Sequence, residues 1–199
     1  MRLTLLACAA LVALAGAARA ESAPSPSPAP SPAASAPAAA SAALDDLFAR
    51  LAVAEDDDET AGLVAAIDRL HLQSGSDTGD LLMARAVAAM EARDYPVSLA
   101  VLDALVGLEP GWAEAWSRRA MARYFSGDSR GAMADLAHAL ARDPRHLQAL
   151  AETATILEDE GLKQQALDVY QRALGFAPHW RPMADAAAKL RADLAGQAL

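Results

Sequence analysis

The chain has 199 residues and a net charge of −9, with 17 lysines and arginines against 26 acidic residues. Because nucleic acids and anionic lipids attract clustered basic residues, this balance argues against a nucleic-acid partner and against electrostatic docking on a membrane. The composition is 54% hydrophobic but only 5% aromatic. Much of the apolar content is alanine, which favours closely packed helices over sheets.

Residues 1–20 have the pattern of a secretory signal peptide. Arg2 supplies a positive charge, residues 3–17 form an uncharged apolar run, and residues 18–20 (Ala-Arg-Ala) fit the small-x-small cleavage rule. A membrane-spanning helix needs about 20 apolar residues, which is more than this run offers. We therefore predict cleavage after Ala20, a periplasmic or secreted location, and no stable membrane insertion afterwards. An uncleaved anchor is the alternative.

Residues 21–43 consist almost entirely of alanine, serine and proline. Proline fixes φ and removes a backbone donor, and the stretch has no apolar pattern to bury. This composition predicts a disordered linker, partly in the polyproline II conformation. A tether is the preferred interpretation, and a proline-rich recognition segment is the alternative.

Residues 44–78 read as a degenerate pair of helices. Apolar residues at positions 44, 47, 48 and 51 follow helical spacing. The acidic run 55–59 lacks the alternating ligands and glycine of a calcium loop, but it suits the N-terminus of a helix over residues 60–72. A Ser/Gly-rich break follows at residues 74–79.

A 34-residue period organises the next part of the chain. Pro110, Pro144 and Pro178 are 34 residues apart. Counting back from each proline gives three blocks, residues 79–112, 113–146 and 147–180.

The blocks agree at the aligned positions that matter for packing. Small residues let the two helices of a block cross closely, and a large residue fills the groove between blocks. Glycine accepts a left-handed backbone after the first helix, and proline stops the second. The aligned sets are Ala86, Ala120 and Ala154; Ser98, Ala132 and Ala166; Leu105, Ala139 and Ala173; Leu102, Leu136 and Tyr170; and Gly127 with Gly161.

These blocks resemble the tetratricopeptide repeat (TPR), whose pattern is Trp-x₂-Leu-Gly-x₂-Tyr followed by Ala, Phe, Ala and Pro. The block 113–146 fits best, through Trp116, Ala120, a tyrosine one place late at Tyr124, and Gly127. The resemblance implies an all-α solenoid of helical hairpins wound into a right-handed superhelix. The departures are Arg85, Arg119 and Thr153 in place of leucine, and Arg93 in place of a turn glycine.

Residues 181–199 are predicted to form a capping helix and tail. Met183, Ala187, Leu190 and Leu194 fall on one side of this helix. A solenoid needs such a cap because its last repeat would otherwise expose an apolar face.

The sequence offers no convincing catalytic or metal-binding constellation. Residues 127–131 match the G-x-S-x-G elbow of serine hydrolases, but that elbow needs a strand before the serine, and a helix is predicted there. The histidines show neither an i, i+4 pair nor an HExxH motif, and Cys8, the single cysteine, lies in the predicted signal peptide. We therefore predict no enzyme activity, no cofactor and no metal, and interpret the histidines as surface or boundary residues. They are His71, His138, His146 and His179.

The resemblance also implies where a partner binds, because the first helices of TPR repeats line a concave groove. The corresponding positions here are apolar at one end and acidic at the other. They lack the Lys and Asn of the family's carboxylate clamp, which argues against binding of chaperone tails. They suit an extended or helical peptide with hydrophobic and basic residues, although core packing of the Met and aromatic residues is the alternative. The predicted partner-binding residues are Met83, Val87, Met90, Arg118, Met121, Tyr124, Phe125, Glu152, Thr155 and Asp159.

We therefore expect a protein–protein interaction module of the bacterial cell envelope, acting as an adaptor, scaffold or assembly factor for a protein or peptide. Two alternatives remain open at this point. One is a structural protein that self-associates as a homo-oligomer through the groove or the cap. The other is a small-ligand binder or a hydrolase acting through Ser129.

Overall fold

The structure, a computed structural model, describes residues 36–196. Within that range it contains helices and no strand, which confirms the predicted all-α, helical-hairpin repeat fold. None of the described helices is both long and apolar enough to cross a membrane. The predicted signal peptide lies outside the described residues. The helices are α1 (Ala36–Leu51), α2 (Asp57–His71), α3 (Asp77–Glu91), α4 (Tyr95–Leu108), α5 (Ala113–Phe125), α6 (Ser129–Arg142), α7 (Leu147–Asp159), α8 (Lys163–Phe176) and α9 (Arg181–Gly196).

Helix α1 begins earlier than the sequence analysis predicts. The predicted linker extends to residue 43, whereas α1 starts at Ala36, so the prediction was wrong for residues 36–43. Most of these residues are alanine, the best helix former, and Pro37 falls in the first turn, where a missing N–H leaves no hydrogen bond unmade. The rest of the predicted linker, residues 21–35, lies outside the described residues.

Short polar turns separate the helices. Gly127 and Gly161 follow α5 and α7 with φ of 86° and 75°, a left-handed conformation that glycine adopts without a Cβ clash. Arg93 takes the equivalent place after α3 with φ of 58°, which costs a residue with a side chain about 1–2 kcal/mol. Helix N-caps that accept a backbone N–H three residues ahead are Asp56, Ser76, Asp94 and Asp128.

Each 34-residue block corresponds to one helical hairpin: α3–α4, α5–α6 and α7–α8. Helix α3 begins at Asp77, two residues before the predicted block and within the predicted break at residues 74–79. The aligned small residues lie where the two helices cross, and Ala120 and Ala132 of the second hairpin are completely buried. The aligned large residues Leu102, Leu136 and Tyr170 are also buried. The repeated residue sizes therefore set the spacing of the stack.

The N-terminal pair α1–α2 does not extend this stack beyond the first hairpin. It lies across the third hairpin instead, and salt bridges from Arg145 to Asp45 (2.8 Å) and from Arg181 to Asp57 (2.6 Å) border the contact. Only Leu72, in the link to α3, packs with the core of the first hairpin. The apolar contact consists of Phe48, Leu51, Leu63, Val64 and Ile67 against Leu147, Phe176, Ala177 and Trp180.

Helix α9 covers the last hairpin. Ala187 and Leu190 are buried and pack with Ala154, Leu167 and Tyr170. This is the cover that the final repeat of a solenoid requires.

Candidate binding groove

Helices α3, α5 and α7 lie in succession and line a shared groove, which α2 partly closes. The carbonyl of His71, the last residue of α2, accepts a hydrogen bond of 2.7 Å from Trp112 Nε1. The His71 ring stacks on His146 with centroids 4.4 Å apart. The groove therefore has a covered half near the first turns of α5 and α7 (Glu114, Ser117, Arg118, His146, Glu152) and an open half along the later turns of the three helices (Val87, Met90, Met121, Tyr124, Thr155, Asp159).

His71 and His146 are buried, with 8% and 0% of their surface exposed, so neither is a surface residue. His146 does lie at the predicted boundary between two repeats, as the N-cap of α7. Its Nδ1 accepts the Ala149 N–H at 3.2 Å. His71 Nε2 lies 3.1 Å from Asp143 Oδ2. Short sequence motifs do not reveal that His71 and His146 stack, because the two residues are 75 positions apart in the sequence.

Glu114 is the ionised centre of the covered half. Its side chain is 2% exposed, lies 2.9 Å from His146 Nε2 and accepts a hydrogen bond from Arg118 Nε. Burial by itself would raise the pKa of this carboxyl, but the His146 ring and the Arg118 guanidinium outweigh burial and lower the pKa to about 2. Because Arg118 is held by Glu114, its charge is largely neutralised within the protein.

Glu152 borders the covered half and behaves in the opposite way. Its carboxyl accepts hydrogen bonds from Ser117 Oγ (2.7 Å) and Gln148 Nε2 (3.1 Å). Burial raises its pKa to about 8, although those two hydrogen bonds act to lower it. The side chain is therefore protonated at neutral pH and does not form part of an acidic surface.

His71, Glu114 and His146 bring three potential ligand atoms within 4.8 Å of one another. A metal binds an imidazole in the ring plane, at a nitrogen without a proton. The two ring planes differ by only 19° in a stacked pair, so their in-plane lone pairs do not converge on one ion. Because His146 Nδ1 accepts the Ala149 N–H, a neutral ring carries its proton on Nε2, the atom facing Glu114. The stacked arrangement of the two rings therefore does not favour coordination of one metal ion by both histidines.

The open half contains two apolar cavities. One, of about 320 Å³, lies on α3 beside Val87 and Glu91. The other, of about 140 Å³, lies between α5 and α7 and is lined by Met121, Tyr124 and Thr155. The open half is therefore the part of the groove where a ligand has room.

Tyr124 joins α5 to α7 across the open half. Its hydroxyl donates a hydrogen bond to Asp159, and this bond is the main reason that the pKa of Tyr124 is raised. Because the tyrosine spans the two helices, it fixes the width of the groove at this point.

The predicted partner-binding residues divide into three groups. Val87, Met90, Met121 and Tyr124 are half-buried, and Thr155 and Asp159 are exposed; all six belong to the open half. Met83 and Glu152 are 2% and 5% exposed, and Arg118 is tied to Glu114, so these three do not offer a free surface. Phe125 is 51% exposed but stacks on Tyr95 at 5.7 Å, towards the turn that precedes α4.

The G-x-S-x-G sequence lies at the turn from α5 to α6. Gly127 is in the turn, Asp128 caps α6, and Ser129 is the first residue of that helix. A helix rather than a strand precedes the serine, so the structural context of a nucleophile elbow is not present at this turn.

Comparison with known proteins adds a relative and a set of similar folds. No family model matches the chain. A TPR repeat-containing protein from Rhizobium etli is 36% identical over 153 residues, which cover 77% of this chain and 75% of the relative.

Solved TPR structures share the fold at low sequence identity. The TPR2B domain of yeast Sti1, solved in a complex with pHsp70, has a TM-score of 0.56 at 18% identity and covers 59% of this chain and 99% of that one. The TPR domain of Sgt2 from Aspergillus fumigatus has a TM-score of 0.56 at 19% identity, with coverages of 60% and 80%. The MamA protein has a TM-score of 0.53 at 15% identity, with coverages of 77% and 81%.

Proposed function

The chain belongs to the tetratricopeptide-repeat family, whose members are generally protein-binding modules rather than enzymes, and we propose that it binds a peptide or helix of a partner protein in the open half of its groove. It acts there as an adaptor, scaffold or assembly factor of the bacterial cell envelope. The proposal rests on one observation above all: apolar side chains on three successive helices remain partly exposed around two cavities.

The partner's side chains must match this surface. Val87, Met90 and Met121 offer apolar contact, and methionine adapts to irregular shapes. Glu91 and Asp159 flank them as exposed acids, whereas Arg118, the basic residue nearest the groove floor, is already paired with Glu114. A peptide that alternates hydrophobic and basic residues therefore fits best, because its charge complements the rim.

The cell-envelope location follows from the predicted signal peptide. Positive charge at Arg2, an apolar run and a small-x-small site before Glu21 are the features that direct export and cleavage. Cell fractionation and N-terminal sequencing test this part. A mature chain that begins at Glu21 in the periplasm or medium is expected, and an intact N-terminus in the cytoplasm would contradict it.

Binding is tested by crosslinking capture from a cell-envelope extract, with native protein and a Met121→Glu/Thr155→Glu variant. The two glutamates place charge inside the cavity between α5 and α7, so capture of the specific partner should fall at least tenfold. Because the acidic rim attracts a basic partner, capture should also weaken as salt concentration rises.

The matched control is Val53→Glu/Leu162→Glu. It adds the same two charges at exposed apolar positions, 75% and 44% exposed, in the α1–α2 and α7–α8 turns. Circular dichroism verifies that both variants keep native helicity. Equal capture by the groove variant and the control would place binding outside the groove and refute the proposal.

A further inference from the structure

The first helix of each later hairpin packs against the hairpin before it through two fixed positions. In α5 these are Ala115 and Ala122, both completely buried in a cluster with Leu102 and Leu105 of α4. The equivalent positions in α7 are Ala149 and Ile156, 0% and 1% exposed in the core of the second hairpin. These positions therefore form the joint between neighbouring hairpins.

The same two positions are uncovered in the first hairpin. Leu81 is 71% exposed, and Ala88 is also exposed. Among residues 36–196, no helix covers them, because α1–α2 lies across the third hairpin. The two positions that form a joint in α5 and α7 are thus also apolar in α3, but there no helical hairpin of the described residues covers them.

Helix α4 continues this apolar surface around the outside of the first hairpin. Val97 and Leu108 are 40% and 55% exposed, and together with Val101 and Ala104 they form a stripe at positions i, i+4, i+7 and i+11. The single charged residue of α4, Asp103, is bound by Arg119 at 2.9 Å. The equivalent positions in α6 carry no large apolar residue, whereas in α8 they are half polar. They are Gly131, Asp135, His138 and Arg142 in α6, and Gln165, Val169, Arg172 and Phe176 in α8.

We propose that this surface binds its own counterpart on a second copy of the chain, so that two protomers pair through their first hairpins around a two-fold axis. The two α4 helices then cross in antiparallel directions, and α3–α4 of one protomer covers the joint of the other. The surface, called the α3–α4 face below, consists of Leu81, Ala88, Val97, Val101, Ala104 and Leu108.

Three observations select a second copy as the occupant. The equivalent joints are covered elsewhere in the chain by hairpins of this same repeat, so a hairpin is the shape that fits. The chain has a net charge of −9, whereas the charged residue that α3 exposes on this face, Arg85, is basic and that of α4, Asp103, is paired with Arg119. Two acidic molecules therefore approach here with less repulsion than at an acidic surface. Head-to-tail stacking, with the α3–α4 face of one copy on α9 of another, does not fit, because the exposed surface of α9 carries charged residues. These are Arg181, Asp185, Lys189, Arg191 and Asp193.

The size of the α3–α4 face indicates how strongly two copies should bind each other. A helix of about 14 residues is about 21 Å long, and two packed helices lie about 10 Å apart. A contact of these dimensions falls at or below the lower end of stable protein interfaces. The dimer should therefore form with a dissociation constant in the micromolar range. It leaves the cavity between α5 and α7 free, whereas Ala88 also borders the cavity on α3; the observations behind the dimer are independent of the function proposed above.

Sedimentation equilibrium over about 1–300 μM tests the proposal with the chain that begins at Glu21. The described helices all belong to one compact unit, so this chain retains the fold. The average mass is expected to rise from one protomer towards two. A Leu81→Glu/Leu108→Glu variant should stay at one protomer throughout, and the Val53→Glu/Leu162→Glu variant should follow the native curve.

A second chain that begins at Ser35 separates self-pairing from cover by residues 21–34. Equal dimerisation of the two chains supports the proposal. If the chain that begins at Glu21 is monomeric at all concentrations, the proposal is overturned. This includes the case in which only the chain that begins at Ser35 dimerises, because residues 21–34 would then be what covers the face. A dimer that persists in the Leu81→Glu/Leu108→Glu variant also overturns it, because the contact would then lie elsewhere.

Discussion

The first and third hairpins are built from the same 34-residue pattern, yet their surroundings differ. The third is enclosed by the second hairpin, by α9 and by the N-terminal pair, and its joint positions Ala149 and Ile156 are buried. The first hairpin has one hairpin neighbour among the described residues, and its joint residue Leu81 is 71% exposed. The repeat pattern thus specifies the hairpin, whereas its position in the stack decides how much each residue contributes to stability.

Truncating one leucine at each end of the helical stack should give the largest difference in the free energy of unfolding. Leu190→Ala removes a side chain that is 1% exposed and should lower the free energy of unfolding by about 2–5 kcal/mol, because it leaves a cavity under α9. Leu81→Ala in dilute solution should change it by less than about 0.5 kcal/mol. Urea unfolding measures both, and equal losses would contradict the difference between the two ends.

The pH dependence of stability should reveal the buried carboxyl of the third hairpin. The pKa of Glu152 is about 8 in the folded chain, against 4.5 for a glutamate in the unfolded chain. Its stabilising contribution is complete below pH 4.5 and is lost as pH rises through 8. Between pH 6 and 8 the native chain should lose about 2 kcal/mol more stability than a Glu152→Gln variant, which has no proton to release. Unfolding in urea at several pH values makes the measurement, and parallel pH curves would show that Glu152 is ionised throughout.

The contact between α2 and the stack should have an intermediate effect. Trp112→Phe removes the hydrogen bond to the His71 carbonyl and leaves that carbonyl without its donor, at a cost of about 1 kcal/mol. Trp116→Phe is the matched control, because Trp116 Nε1 bonds the Pro110 carbonyl at an exposed site, where water can replace it. Hydrogen exchange should accelerate in α2 for Trp112→Phe alone. Similar exchange in both variants would mean that this bond does not hold α2 in place.

The smallest effect should come from the turn of the first hairpin. Arg93 has φ of 58°, where the other two hairpins have glycine. Arg93→Gly should stabilise the chain by up to about 1 kcal/mol, since relief of the left-handed strain exceeds the entropy that glycine loses on folding. Thermal unfolding measures the shift. Gly127→Ala provides the reverse test and should destabilise by about 1 kcal/mol, and a loss of stability in Arg93→Gly would indicate contacts of the arginine that outweigh its strain.

The sequence alone predicted most of the repeat architecture. Small residues such as Ala120 and Ala132 mark helix crossings, and Gly127 and Gly161 mark turns, because close packing and a positive φ each exclude most other residues. The open half of the groove was also predicted, through Val87, Met90, Met121, Tyr124, Thr155 and Asp159, although their role in binding stays a prediction. Met83 and Glu152 were placed on the surface wrongly, because helical spacing indicates which face a residue occupies and not how deeply a neighbour covers it.

The sequence by itself determined the repeated hairpins and their order, because helix propensity, caps and turns act over a few residues and the 34-residue period repeats the same local pattern. Only the tertiary structure decided that α1–α2 crosses the third hairpin, that His71 and His146 stack, and that Glu152 retains its proton. These features depend on residues far apart in the chain, such as Ser117 and Glu152, and on the burial that arises only when they meet. The uncovered α3–α4 face follows from the same cause, because the helical pair that would have covered it packs elsewhere.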